Sequence, residues 1–221
     1  MKSEYTYDYI HGTDVYVYQH RKMFRINTDT ALLAEFMVIK EGESVLDIGT
    51  NNGALLAVAA RMKPSRLIGI ELQAEAAELA RYNMAHNHIE QAEIICGDVG
   101  TTNLPKVDVI VCNPPYFKVS TDSNLNESKA LQLARHEKYL TLPDLCRRVS
   151  SLLDEKGRFY LVHRASRIGE LAYTLHEHRL EIKTLQFIYD ENKEEAITVL
   201  IEAVKDASVQ TRVRAGKTLH R

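Results

Sequence analysis

Short apolar runs alternate with longer segments of helical periodicity along most of the chain. Runs rich in Val, Ile and Leu predict buried strands at 44–48, 66–71, 92–96, 107–112 and 158–163. Apolar positions spaced three and four apart predict helices at 54–62, 74–86, 142–153 and 168–178. Two further runs, at 180–189 and 196–203, predict a closing antiparallel pair. Strands that alternate with helices in this way predict an α/β fold with a mostly parallel sheet covered on both faces.

The N-terminal region has a different pattern. Between residues 5 and 18, tyrosine alternates with polar residues and then with valine, on either side of a turn-like His-Gly-Thr-Asp. This predicts a β-hairpin with cross-strand aromatic pairs. Thr28 or Asp29 is the expected N-cap of an apolar helix at 31–39.

The distribution of charge sets the C-terminal segment apart from the rest of the chain. The net charge of −2 hides a C-terminal segment, 204–221, that carries +4, so the remaining residues carry −6. We therefore expect an N-terminal extension at 1–43, a main domain at 44–203 and a basic tail at 204–221. The near-neutral total argues against a protein coated in positive charge, but it leaves room for a local docking surface for nucleic acid.

The composition and the absence of certain sequence patterns exclude several classes of protein. A hydrophobic content of 45% and a charged content of 26% are typical of a globular chain. No apolar run approaches the length of a membrane span, and the N-terminus lacks the apolar core of a secretory signal. The three cysteines are scattered and form no C-x-x-C pair, and the histidines show no metal-ligand spacing. We expect a cytoplasmic protein without a disulfide framework or a bound metal.

Three successive strand ends carry an acid. Asp47 precedes Gly49 and Gly53 at the turn into the first helix of the main domain, Glu71 ends the second strand, and Asp98 follows the third. Ligands of open α/β sheets bind at the carboxyl ends of the strands, where Glu71 can accept from ribose hydroxyls and Asp98 from an exocyclic amine. An acid beside the glycine turn would repel the pyrophosphate of NAD(P) but suits the positive α-amine of S-adenosylmethionine (AdoMet). We therefore predict an AdoMet site.

The two adjacent prolines lie on the same rim. Asn113-Pro114-Pro115-Tyr116 follows the fourth strand. An amine conjugated to a ring or carbonyl is a poor nucleophile, and two acceptors on its N–H groups can localise its lone pair. The Asn113 side chain and the Pro114 main-chain carbonyl can serve as these acceptors, the prolines stiffen the loop, and Tyr116 offers a flat stacking surface.

The pattern D-x-G-x-x-x-G with the later Glu and Asp resembles the class I, seven-stranded, Rossmann-like AdoMet-dependent methyltransferases over roughly 44–203. One departure is Asn51, where many members have glycine; asparagine tolerates left-handed backbone, so we expect the turn to be preserved. The N-P-P-Y run resembles the motif of amino methyltransferases.

The hairpin, H-R-K-x-F-R, T-D, N-P-P-Y-F and A-R-H-E together resemble the bacterial tRNA(Val) adenine-37 N6-methyltransferase family. This resemblance implies N6 methylation of an adenine beside the anticodon. It implies cofactor contacts from Thr28, Asp47, Gly49, Gly53, Glu71, Leu72, Asp98 and Val99. It implies a catalytic motif of Asn113, Pro114, Pro115 and Tyr116.

Contacts to the RNA are expected from Arg21, Lys22, Arg25, Phe117 and Arg135, with further cations from the tail. Three alternatives stay open. Release-factor glutamine methyltransferases share N-P-P-Y, although they carry an N-terminal helical domain that is not seen here. An AdoMet-fold protein that binds RNA without catalysis would fit Asn51 and the basic tail. A nicotinamide oxidoreductase fits least, because no catalytic Tyr-x-x-x-Lys follows.

Overall fold

The computed structural model describes residues 4–114 and 140–220. Eleven strands are present in these ranges: β1 Tyr5–Tyr9, β2 Tyr16–His20, β3 Ser44–Ile48, β4 Arg66–Glu71, β5 Ala92–Cys96, β6 Val107–Cys112, β7 Leu153–Arg164, β8 Leu180–Asp190, β9 Ala196–Lys205, β10 Arg212–Val213 and β11 Lys217–Leu219. The helices of the same ranges are α1 Thr28–Phe36, α2 Ala54–Ala60, α3 Ala74–His86, α4 Leu142–Leu152 and α5 Ile168–Glu177. No helix among the described residues is long and apolar enough to cross a membrane.

The seven strands expected of the main domain form one sheet in the order β5-β4-β3-β6-β7-β9-β8. Neighbours pair in parallel, except that β9 runs antiparallel to both β7 and β8. This confirms the predicted mostly parallel sheet with an antiparallel closing pair. Because the chain leaves β3 toward β4 on one side and later returns to β6 on the other, the strand order reverses beside β3, which is where ligands bind in such sheets.

Helices cover both faces of the sheet. The buried side chains of α1, α2 and α3 pack on one face, and those of α4 and α5 pack on the other. The strands between the two layers, such as β6 with Val109, Ile110 and Val111 fully buried, read as continuous apolar runs because both faces are covered.

The predicted hairpin forms, and its register pairs Tyr7 with Tyr18 and Tyr9 with Tyr16. The rings of Tyr7 and Tyr16 stack with their centroids 5.5 Å apart. Val17 is buried, whereas Tyr7, Tyr9 and Tyr16 remain about half exposed on the outer face. Alternation along the strands thus separates an inner face, where Val17 and Gln19 are buried, from an outer aromatic one.

Two local predictions need correction. The N-cap of α1 is Asn27 rather than Thr28 or Asp29, since the Asn27 side chain accepts a hydrogen bond from the backbone N–H of Thr30. The strand expected at 158–163 begins earlier, so that α4 ends at Leu152 and β7 follows at once. An apolar pattern does not locate this boundary, because Leu153 continues the apolar positions of α4 and the next three residues of β7 are polar and exposed.

The tail also differs from the expectation. Two short strands, β10 and β11, pair in parallel with β8 and extend the sheet from seven strands to nine. Lys217 makes an ion pair with Glu35 at 2.5 Å, and the Arg214 guanidinium lies 4.9 Å from the ring centre of Phe36. These two basic side chains therefore hold the tail against the protein's own helix α1.

Candidate functional site

A tight loop at residues 49–53, here called the glycine loop, connects β3 to α2 at the carboxyl edge of the sheet. Gly49, Asn51 and Gly53 all have left-handed backbone, with φ values of 71°, 51° and 80°. This confirms that Asn51 adopts the conformation that glycine would supply. A Cβ atom at Gly49 would meet nothing within 4 Å, whereas one at Gly53 would lie 2.8 Å from Cε of Met84. Gly49 therefore faces open space, and Gly53 permits close packing of α2 on α3.

Asp47 is the most unusual group of the site. Its side chain is only 1% exposed, and neither carboxylate oxygen has a hydrogen-bond partner among the described residues. Burial raises the pKa of Asp47 to about 7; the nearby Thr50 hydroxyl opposes this rise and the negative charge of Glu71 adds to it. A buried carboxylate without a partner is costly to the fold, so it indicates a place for a positive or hydrogen-bond-donating ligand.

The two other acids hold the surrounding loops. Glu71 is 6% exposed; Oε2 accepts from the backbone N–H of Asn51 at 3.0 Å and Oε1 from that of Gln73 at 2.9 Å. Asp98 is partly exposed, and Oδ1 accepts from the backbone N–H of Gly100 at 2.7 Å. Each oxygen can accept a further bond, so these contacts fix the carboxylates without filling them.

Asn113 lies one strand away from Asp47, directly after β6. Its side-chain Nδ2 donates to Oγ1 of Thr30 at 3.0 Å. Its Oδ1 is buried and has no partner among the described residues. Since Ile48 and Cys112 are paired in the register of β3 and β6, Asn113 and the glycine loop leave the sheet side by side.

The remaining predicted residues have mixed placements. Pro114 is buried, Thr28 is exposed in the first turn of α1, Leu72 is 42% exposed at the rim, and the Val99 side chain packs into the core. Four predicted site residues lie outside the described ranges: Pro115, Tyr116, Phe117 and Arg135.

The stretch at 21–25 was expected to supply cations for contact with RNA, and the structure gives two of these cations an acidic partner. Lys22 pairs with Glu4 at 3.0 Å and Arg25 pairs with Asp8 at 3.3 Å. Arg21 is exposed. Glu4 immediately precedes β1 and Asp8 lies within it, so the hairpin brings both acids alongside the stretch, whose local sequence does not reveal them.

Three asparagines organise the site, and for none of them did the sequence predict the contact that it makes. Asn51 donates from Nδ2 to the carbonyl of Phe24 at 2.7 Å, which holds the segment after the hairpin over the glycine loop. Asn83 is fully buried and donates to the carbonyls of Tyr18 and Asn52 at 2.9 and 2.8 Å.

The third, Asn27, caps α1 and contacts Thr30. The sequence carried a signal for Asn27, namely an N-cap residue type just before an apolar helix, and for Asn51, which stands at a glycine position of the turn.

No group of three or more His, Cys, Asp and Glu side chains in 4–114 and 140–220 is arranged to hold a metal ion. Burial raises the pKa of Cys146 to about 12 and moves that of Cys112 well above its usual range. Neither thiol is therefore a candidate nucleophile at neutral pH.

A family model described as the methyltransferase small domain matches residues 14–170. A tRNA1(Val) (adenine(37)-N6)-methyltransferase from Porphyromonas gingivalis is 35% identical over 179 residues, which is 73% of this chain and 69% of the relative. A protein of the same name from a Flavobacteriaceae bacterium is 29% identical over 149 residues. That match covers 66% of this chain, and the chain spans only 62% of the relative's length.

Solved structures give the same architecture. A predicted O-methyltransferase from Agrobacterium tumefaciens superposes with a TM-score of 0.68 at 22% identity, covering 87% of this chain and 88% of the other. A ribosomal protein L11 methylase from Lactobacillus delbrueckii superposes with a TM-score of 0.57 at 18% identity, covering 80% and 77%. At these identities the likeness establishes the fold.

Proposed function

The chain belongs to the methyltransferase small domain family, and from this premise we propose that it transfers a methyl group from AdoMet to the exocyclic N6 of an adenine in tRNA, beside the anticodon. The observation that carries the proposal is a pair of buried acceptors on adjacent strand ends, the Asp47 carboxylate and the Asn113 side-chain oxygen, neither of which has a partner among the described residues. The choice of substrate rests on the names of the relatives.

The residues present fit AdoMet. The unpartnered Asp47 carboxylate suits the positive α-amine, and the open space at Gly49 lets a ligand approach the backbone closely. Glu71 and Asp98 keep acceptor capacity for the ribose and the adenine amine. The cofactor supplies an electrophilic methyl group on a sulfonium, and the chain supplies an electrostatic and geometric frame for it.

The reaction needs little acid–base catalysis from the protein. The Asn113 oxygen accepts one N–H of the target amine and the main-chain carbonyl of Pro114 accepts the other, which localises the nitrogen lone pair. Tyr116, outside the described residues, is proposed to stack on the base. The amine becomes acidic once it carries the methyl group, so its proton can pass to water without a strong base. Catalysis is then mainly a matter of positioning.

A tRNA substrate requires the target base to leave its stack and enter the site. We propose that phosphate contacts come from Arg21, Lys22, Arg25 and Arg135, with Phe117 beside the base. Because the proposed substrate is tRNA, we propose that the protein acts in the cytoplasm.

The test is transfer of label from AdoMet into total tRNA and, separately, into total protein, followed by mass spectrometry of the modified nucleoside. Wild-type protein should label tRNA as N6-methyladenosine. Asn113→Ala should bind AdoMet in calorimetry with an unchanged Kd and lose most turnover, whereas Asn103→Ala, at an exposed asparagine, should behave as wild type. Label in protein alone, or full turnover in Asn113→Ala, would refute the proposal.

A further inference from the structure

We propose that Thr30 is a positioning residue that sets the direction of the Asn113 side-chain amide, with Asn27 as the fixed end of a hydrogen-bond relay. The inference rests on the proposed function, because it gives Asn113 the task of accepting from the target amine. It concerns residues of α1 that lie far from the N-P-P-Y run in sequence.

The relay starts at a group whose polarity cannot change. The backbone N–H of Thr30 can only donate, and it donates to Oδ1 of Asn27 at 3.0 Å. This bond is the N-cap of α1, so it forms with the helix itself. The capping bond therefore fixes Oδ1, rather than Nδ2, as the end of the Asn27 amide that faces Thr30.

The second step uses the single proton of a hydroxyl. Oγ1 of Thr30 lies 3.1 Å from the same Oδ1 of Asn27, an acceptor, so the hydroxyl proton points there. Oγ1 then has only lone pairs to offer its other neighbour, Asn113. Thr30 is 6% exposed, so water does not compete for these positions as it would at the surface.

The third step follows for the Asn113 amide. Only Nδ2 can donate to the Thr30 lone pair, and it does so at 3.0 Å. The amide therefore turns Oδ1 away from Thr30, where it has no partner among the described residues. With the opposite orientation, Nδ2 would present two N–H donors to the N–H of the target amine, and the required acceptor would be lost.

The position of Thr30 is itself secured from a second side. Asp29, the preceding residue, accepts from Oγ1 of Thr198 on β9 at 3.2 Å, and Thr198 is 2% exposed. Thr198 therefore offers a matched control. It is a buried threonine whose hydroxyl holds the same turn of α1 but bonds to Asp29 rather than to Asn113.

The test compares Thr30→Val, Thr30→Ser and Thr198→Val in steady-state methylation of tRNA. Losing one orienting hydrogen bond should lower kcat of Thr30→Val by about 10-fold to 100-fold. KM and the Kd for AdoMet should stay near wild type. Thr30→Ser keeps the hydroxyl and should restore kcat, and Thr198→Val should keep it. An unchanged kcat in Thr30→Val, or an equal loss in Thr198→Val, would overturn the assignment.

A spectroscopic readout separates this inference from the proposed function. The side-chain Nδ2 protons of Asn113, assigned by their loss in Asn113→Ala, should exchange slowly with solvent in wild type and in Thr30→Ser, and fast in Thr30→Val. Unprotected Nδ2 protons in wild type would refute the relay whatever the substrate. A wild-type enzyme that labels no tRNA would refute the proposed function and leave the relay to be judged by exchange alone.

Discussion

Replacing Asp47 with asparagine should remove a pH dependence from the stability of the ligand-free protein. Burial raises the pKa of Asp47 from 3.8 to about 7 in the folded state. Between these two values the unfolded chain gives up its proton while the folded protein keeps it. Because the unfolded state then binds fewer protons, stability is lost as the pH rises from about 4, and the loss levels off above 7.

The size of the effect follows from the shift. One pKa unit corresponds to about 1.4 kcal/mol, so a shift of roughly three units is worth up to about 4 kcal/mol above pH 7. Part of this is already lost at pH 5, which leaves about 3 kcal/mol between pH 5 and pH 8. For a chain of this length, that corresponds to roughly 6–12 °C in Tm.

The assay is thermal and urea unfolding of wild type and Asp47→Asn without AdoMet at several values between pH 5 and pH 8. The difference between the two proteins isolates Asp47, since groups common to both cancel. Asp108→Asn is the matched control, and its difference from wild type should stay constant between pH 5 and pH 8, because Asp108 titrates only below this range. Hydrogen bonds from the backbone and the hydroxyl of Ser44 lower the pKa of Asp108, so this carboxylate loses its stabilising effect as the pH falls.

Parallel pH profiles for wild type and Asp47→Asn would show that the carboxylate is solvated or paired in the ligand-free protein. That result would refute the inference that the Asp47 carboxylate is the binding partner of a cationic ligand. In the expected case, Asp47→Asn also loses AdoMet binding, because the amide carries no charge for the α-amine.

Asn83→Ala should lower the free energy of unfolding by about 2–5 kcal/mol, because it removes the hydrogen bonds that this side chain donates to the carbonyls of Asn52 and Tyr18; chemical unfolding measures this loss. The same variant should weaken AdoMet binding through the glycine loop, which calorimetry measures. Gly53→Ala should lower Tm, since its φ of 80° disfavours a side chain and the new Cβ would lie 2.8 Å from Met84; a Tm equal to wild type would contradict this. Burial lowers the pKa of His163 to about 4. The free energy of unfolding of wild type should therefore fall by up to about 3 kcal/mol as the pH drops from 6.5 to 4. An unfolding series on His163→Gln should not show that loss.

Much of the fold was accessible from local pattern. Runs such as 107–112 are apolar at nearly every position, and such a run between helical segments predicts a strand of a covered parallel sheet. The acids at the strand ends were predicted to meet for the same reason, since carboxyl ends of parallel strands share one edge. The structure brings Asp47 and Glu71 to that edge, close enough for one charge to raise the pKa of the other.

Local pattern did not show contacts between segments that are distant in sequence. Lys22 pairs with Glu4, just before β1, and Arg25 pairs with Asp8 of β1. The basic tail forms two short strands that pair with β8. Hydrogen bonds and ion pairs between such segments depend on which surfaces the core brings together, and a charge pattern read along the chain does not contain that information.

The sequence by itself determined the alternation of strands and helices, the order of the acids along the rim and the motif after the fourth strand, because periodicity and turn chemistry are local properties. Tertiary structure alone decided that Asp47 is buried with no partner in the described part of the chain and that Thr30 meets Asn113, 83 residues away in sequence. Burial and the direction of an amide are set by every element that packs around a side chain. Both arise only when the core has closed and excluded water from the site.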